Sequence, residues 1–147
     1  MAVKALIPHL VVDGGVAAAE FYKKAFDAVE VRRMFAEDGK RLMHLEMKIG
    51  EAVFMAHDEF PEYVAGKFSN PKHTGTTSVT LHLVVDDCDA TMEKAAAAGA
   101  TITMPAADMF WGDRYGQVVD PFGHAWAVGS PLPPDRAKAA AANMPKM

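Results

Sequence analysis

Two stretches of the chain are rich in β-branched residues and then switch, at an aspartate, to a helical period. Ile7-Pro8-His9-Leu10-Val11-Val12 runs into Asp13, and Thr80-Leu81-His82-Leu83-Val84-Val85 runs into Asp86; both read as strands. Behind the first, Ala18, Phe21, Tyr22 and Ala25 fall at i, i+3, i+4 and i+7. Behind the second, Met92, Ala95, Ala96 and Gly99 do the same, so each strand is followed by an amphipathic helix. Asp13 and either Asp86 or Asp87 stand where an N-cap carboxylate takes first-turn amide protons. Further extended segments follow each helix, at about 28–36, 42–49 and 51–57 and again at about 100–105, 115–120 and 123–129.

The two halves repeat one another. His9-Leu10-Val11-Val12-Asp13 recurs as His82-Leu83-Val84-Val85-Asp86, and the same offset of 73 pairs Ala17 with Ala90, Glu20 with Glu93, Ala25 with Ala98, Arg41 with Arg114 and Gly50 with Gly123. The expected architecture is α+β, with tandem βαβββ modules at 4–57 and 78–130 whose curved mixed sheets enclose a cleft, all within one domain. Residues 58–77, with Pro61, Gly66, Pro71 and Gly75, form the linker, and 131–147 reads as a terminal helix or tail.

Strand parity sorts the side chains. Leu81, Leu83 and Val85, and likewise Pro8, Leu10 and Val12, are expected beneath helices. So are Met43, Leu45, Met47, Val53, Met55, Trp126 and Val128. The opposite face then carries His9, His44, Glu46, His82 and Gln117, together with Ala52, Phe54, Ala125 and Ala127. Carrying the offset of 73 onward pairs His44 with Gln117 and Glu46 with Val119.

Composition narrows the chemistry. The chain has 147 residues, half of them hydrophobic, enough to bury a core without staples. A net charge of −4 gives a phosphate backbone little to attract, so nucleic acid is not an expected partner. Cys88 is the only cysteine, which fits a reducing compartment, and the apolar run at the amino terminus is too short to span a membrane. A cytoplasmic protein with no membrane partner is expected. No P-loop, dinucleotide glycine fingerprint or serine nucleophile elbow is present.

Tandem βαβββ units with Val-Val-Asp after the first strand and Asp120-Pro-Phe-Gly-His124 before the last resemble the vicinal oxygen chelate superfamily of glyoxalases, bleomycin-resistance proteins and extradiol dioxygenases. Asp108-Met-Phe-Trp-Gly-Asp-Arg114 and Asp120 to Trp126 are similar to its PhnB-like branch. The resemblance implies a cleft, commonly with a divalent metal, and a homodimer. It places the usual metal ligands at about Ile7, Phe54, Thr80 and Ala127, none of which is a good ligand.

Two readings stand. In the first, the cleft binds a small molecule without the usual metal ligands or any cofactor, lined by His9, His44, Phe54, His82, Phe110, Trp111, Arg114, Tyr115 and Gln117. Arg114 would hold an anion, or simply pair with Asp113. In the second, the protein is a lyase, isomerase or dioxygenase using Zn, Fe, Mn or Ni on a rearranged His9, Glu46 and His82 shell. If the protein is an enzyme, Glu46 is the expected general base, its alternative being a partner for His44 or Arg41. Cys88, at a helix start that would lower its thiol pKa, is read as a packing residue. His57, His73 and His124 are read as surface residues, and Met34, Met43, Met47 and Met55 as a deformable core or an adaptable apolar pocket wall, the core being preferred.

Overall fold

A computed structural model describes residues 1–146, so Met147 of the expected tail lies outside the described residues. The chain divides into two compact units, residues 1–77 with 122–124, and residues 78–121 with 125 onward. The first holds strand β1 (His9–Val12), helix α1 (Gly15–Phe26) and strands β2 (Val29–Phe35), β3 (Leu42–Ile49) and β4 (Ala52–Asp58). A 3-10 turn at Pro61–Tyr63 and a short helix α2 (Pro71–Thr74) follow within 58–77. The second unit holds β5 (Thr80–Val84), α3 (Cys88–Ala98), β6 (Thr101–Asp108), β7 (Asp113–Val119), β8 (Ala125–Pro131) and α4 (Pro134–Ala141). Each unit builds one mixed four-stranded sheet in the order β1-β4-β3-β2 or β5-β8-β7-β6. The first strand runs parallel to the last and the remaining pairs are antiparallel.

The helix stripes behave as the periodicity predicts for α1, where Ala18, Phe21, Tyr22 and Ala25 are all buried. In α3 Met92 and Ala95 are buried, while Gly99 ends the helix at φ +123°. The helix starts differ from expectation. Asp13 does not cap α1; its N-cap is Gly14, with no side-chain bond of its own. Instead Asp58, at the end of β4, accepts from the amides of Gly14 (2.8 Å), Gly15 (2.9 Å) and Leu42 (2.7 Å). The paired glycines follow from this: Gly14 sits at φ +108°, and a Cβ on Gly15 would lie 2.7 Å from Asp58 Oδ2. In α3 the local Asp87 is the cap and accepts from Ala90 N at 3.0 Å.

Register corrects the parity reading of β4. Met47 lies opposite Phe54 and Glu46 opposite Met55, so Phe54, Ala56 and Asp58 face α1. Phe54 is buried edge-to-face against Tyr22, centroids 5.2 Å apart, while Val53, Met55 and His57 take the opposite face. A bulge in the β2–β3 pairing moves Met43 as well. Met34 pairs with His44 and Phe35 with Leu42, so Leu42 is buried in place of the exposed Met43. Of the four methionines expected in the core, only Met47 is buried.

The repeat is real, but its offset slips. His9 and His82 are 73 apart, Glu46 and Gln117 are 71 apart, and Met55 and Ala127 are 72 apart, each trio forming one row across its own sheet. The slip of two preserves strand parity in β3, so His44 and Glu46 stay on the expected face, but their counterparts become Tyr115 and Gln117. The slip of one flips β4, which is why Phe54 and not Met55 was expected opposite the helix.

The Asp-Pro-Phe-Gly-His segment between β7 and β8 is structural. Asp120 accepts from Trp126 Nε1 at 2.9 Å. Within the first unit, Phe122 packs on Phe21 and Tyr22, and His124 Nε2 lies 2.8 Å from the Val11 carbonyl. His124 is therefore buried, contrary to its surface reading. No helix among the described residues is long and apolar enough to cross a membrane.

Candidate functional site

Each sheet leaves one face without a helix, and most of the sequence-predicted site residues stand on these two faces. In the first unit, β1 contributes His9, β4 contributes Met55 and His57, β3 contributes His44 and Glu46, and β2 contributes Arg32. His9 meets His57 edge-to-face with ring centroids 4.7 Å apart, and His44 at 6.3 Å. His57 Nδ1 donates to the Asp58 carbonyl at 2.7 Å, which fixes its ring. Sequence reasoning read His57 as a surface residue; the one-residue slip that reverses the parity of β4 is what brings it, two residues after Met55, onto this face. Burial, then the neighbouring His57 and His44, hold the His9 imidazole below its ordinary value.

Glu46 sits 3.9 Å from His44 Nε2 and 3.8 Å from Arg32 Nη2, neither contact close enough for a hydrogen bond. His44 Nε2 is buried and has no hydrogen-bond partner among the described residues. Arg41, the other expected partner of Glu46, is spent elsewhere: it bonds Asp38 and Glu62 and covers the Phe60 ring.

In the second unit the helix-free face is aromatic. His82 on β5 stacks on Tyr115 of β7, centroids 5.8 Å apart and planes 28° from parallel. Trp111 meets Tyr115 edge-on at 5.2 Å, and Phe110 meets Trp111 at 5.0 Å. Gln117 Nε2 donates to the Tyr115 hydroxyl at 2.9 Å. Beneath the stack lies Gly129, where a Cβ would approach His82 Nε2 to 3.2 Å and Cε1 to 3.3 Å. The glycine thus lets both rings lie close over the strand. Trp111, half exposed, donates its indole proton to Asp113 Oδ2 at 3.1 Å.

Two predicted site residues lie elsewhere. Phe54 is under α1, as described above. Arg114 alternates with Tyr115 and so points to the helix side, where it grips Asp89 of α3 through Nε (3.1 Å) and Nη2 (3.0 Å) and Asp108 through Nη1 (3.1 Å). Asp89, then Asp108, raise its already high pKa. Three of its five N–H donors go to these two acids, and among the described residues Asp89 and Asp108, not Asp113, are its partners. Cys88 is buried with Sγ 3.3 Å from the Val128 carbonyl, and burial pushes its thiol up rather than down. Among the described residues no group of three His, Cys, Asp or Glu side chains is arranged to hold a metal ion.

Comparison with known proteins agrees with this architecture. The model of the Glyoxalase/Bleomycin resistance protein/Dioxygenase superfamily matches residues 6–128. An uncharacterized protein of Mycobacterium tuberculosis strain H37Rv is 48% identical over 128 residues, covering 87% of this chain and 75% of its own. The crystal structure of an Arabidopsis thaliana gene product superposes with a TM-score of 0.69 at 28% identity, covering 86% of this chain and 98% of that one. A PhnB protein from Bacillus cereus superposes with a TM-score of 0.65 at 18% identity, covering 86% and 99%.

Proposed function

Because the chain belongs to the Glyoxalase/Bleomycin resistance protein/Dioxygenase superfamily, we propose that it is a PhnB-like, small-molecule-binding member that holds a flat, largely apolar compound against the helix-free face of its second sheet. The observation that carries this reading is the aromatic platform of His82, Tyr115, Trp111 and Phe110, set over Gly129. Aromatic bodies with polar edges, held by one another rather than by a ligand, suit stacking on a planar guest.

The divalent metal common in the family does not fit the residues present. The positions that the resemblance aligns with its usual ligands hold Ile7, Thr80, Ala127 and, with the β4 register corrected, Met55 in place of Phe54, none of them a good ligand. No alternative trio of ligands is grouped among the described residues. The proposed reading therefore routes no step through a metal. Near-stoichiometric Zn, Fe, Mn or Ni in protein purified without chelators or a His-tag, with retention falling in His82→Ala, would overturn it.

The binding test is a thermal-shift screen of small planar compounds. A ligand present at about 100 times its Kd stabilises the fold by about 2.7 kcal/mol, well within reach of the method. Trp111→Ala should cut the stabilisation by every hit, because it removes the exposed wall of the platform. Hits that stabilise wild type and Trp111→Ala equally would place the guest elsewhere.

A further inference from the structure

The hydrogen bonds of the platform are arranged asymmetrically. Trp111 spends its indole proton on Asp113. Gln117 donates to the Tyr115 oxygen, so that oxygen already serves as an acceptor, and the phenolic proton has no acceptor among the described residues. The corresponding row of the first unit carries a different pair. There the places of Tyr115 and Gln117 are taken by His44 and Glu46, and the carboxylate faces the ring it neighbours, 3.9 Å from His44 Nε2. A carboxylate can only accept, and at position 117 it would take the tyrosine proton for itself. An amide can turn either its NH2 or its C=O to the hydroxyl, so a guest acceptor can claim the phenolic proton while the NH2 supplies the phenolic oxygen.

Resting on the platform reading above, we propose that Tyr115 is the specificity-determining donor of the second-unit face, selecting planar compounds that carry a hydrogen-bond acceptor, such as a ketone oxygen, at the ring edge. Gln117 permits this by being an amide and not a carboxylate. Binding then has two separable parts, stacking on Trp111, Tyr115 and His82, and one hydrogen bond from Tyr115 Oη to the guest.

The experiment uses a matched pair of probes, 2-acetylnaphthalene, which carries the acceptor, and 2-ethylnaphthalene, which does not, each titrated against the full chain by calorimetry or indole fluorescence. The ketone should bind wild type about tenfold more tightly, the worth of one net hydrogen bond. Tyr115→Phe should bring the ketone down to the level of the hydrocarbon and leave the hydrocarbon unchanged. Gln117→Glu should do the same, because the new carboxylate captures the phenolic proton. Gln117→Leu should retain the ketone preference. Trp111→Ala should weaken both probes together. Equal binding of the two probes to wild type, or a ketone preference that survives Tyr115→Phe, overturns the inference while leaving the stacking platform intact. Loss of neither probe in Trp111→Ala overturns the platform itself.

Discussion

Single residues decide how each module opens. Asp58 satisfies three backbone amides with one buried carboxylate, and two of those amides belong to glycines that can approach it closely. Asp58→Ala leaves all three donors without a partner in the interior, and should cost roughly 3–5 kcal/mol in urea unfolding. Asp58→Asn keeps the volume and one acceptor oxygen and should cost distinctly less; equal losses would mean the clamp needs the charge and both oxygens of the carboxylate together. Asp13 looked like the cap because it directly precedes the helix and has the right chemistry. The real partner lies 44 residues from Gly14, a distance over which local pattern carries no information. The glycine pair was the legible sign that something must approach there. Arg114 teaches the same lesson: sequence shows a guanidinium beside aromatics, but strand alternation turns it away from them and onto Asp89.

At the scale of elements, the two modules solve one packing problem with compensating residues. Where β4 ends in Asp58 against Gly15, β8 carries Ser130 and α3 begins with Cys88, whose thiol reaches the Val128 carbonyl. A shorter side chain on the strand accompanies a larger one on the helix, and α3 takes its cap locally from Asp87. Helix α3 also comes close to β7, because Gly116 has no side chain: a Cβ there would lie 2.3 Å from Met92 Sδ and 2.9 Å from the Met104 carbonyl. Gly116→Ala should therefore destabilise by about 1–3 kcal/mol through overpacking. Met92→Ala in that background should recover only part of the loss, since the Met104 carbonyl is backbone and cannot move aside. Full recovery would mean the sulfur alone sets the spacing. Strands, helices and their order were legible because hydrophobic period and repeat agree; the face of β4 was not, because a one-residue slip in the repeat reverses parity without changing composition.

For the molecule as a whole, a net charge of −4 is too small for global repulsion to dominate its response to acid, so local groups set the profile. Two act in separate windows. His9 has its pKa depressed in the fold by burial and by two neighbouring imidazoles, so the unfolded chain binds that proton more readily. Stability is then lost as pH falls below the ordinary histidine value of 6.5, until the folded pKa is passed. Glu30 is held down to about 2, chiefly by its hydrogen bonds with Arg33 and then Lys23. Its contribution is complete above the ordinary value of 4.5 and disappears between there and about 2. Urea unfolding at constant ionic strength should thus show a shallow decline on the acid side of neutrality and a second decline below pH 4.5. His9→Gln should flatten the first and spare the second, and Glu30→Gln should spare the first and reduce the second without abolishing it, because Asp38, Glu62, Asp89 and Asp108 are also held below their ordinary values. If the His9→Gln profile overlays that of wild type between neutrality and pH 4.5, the three imidazoles on the first sheet do not repel one another enough to matter for folding.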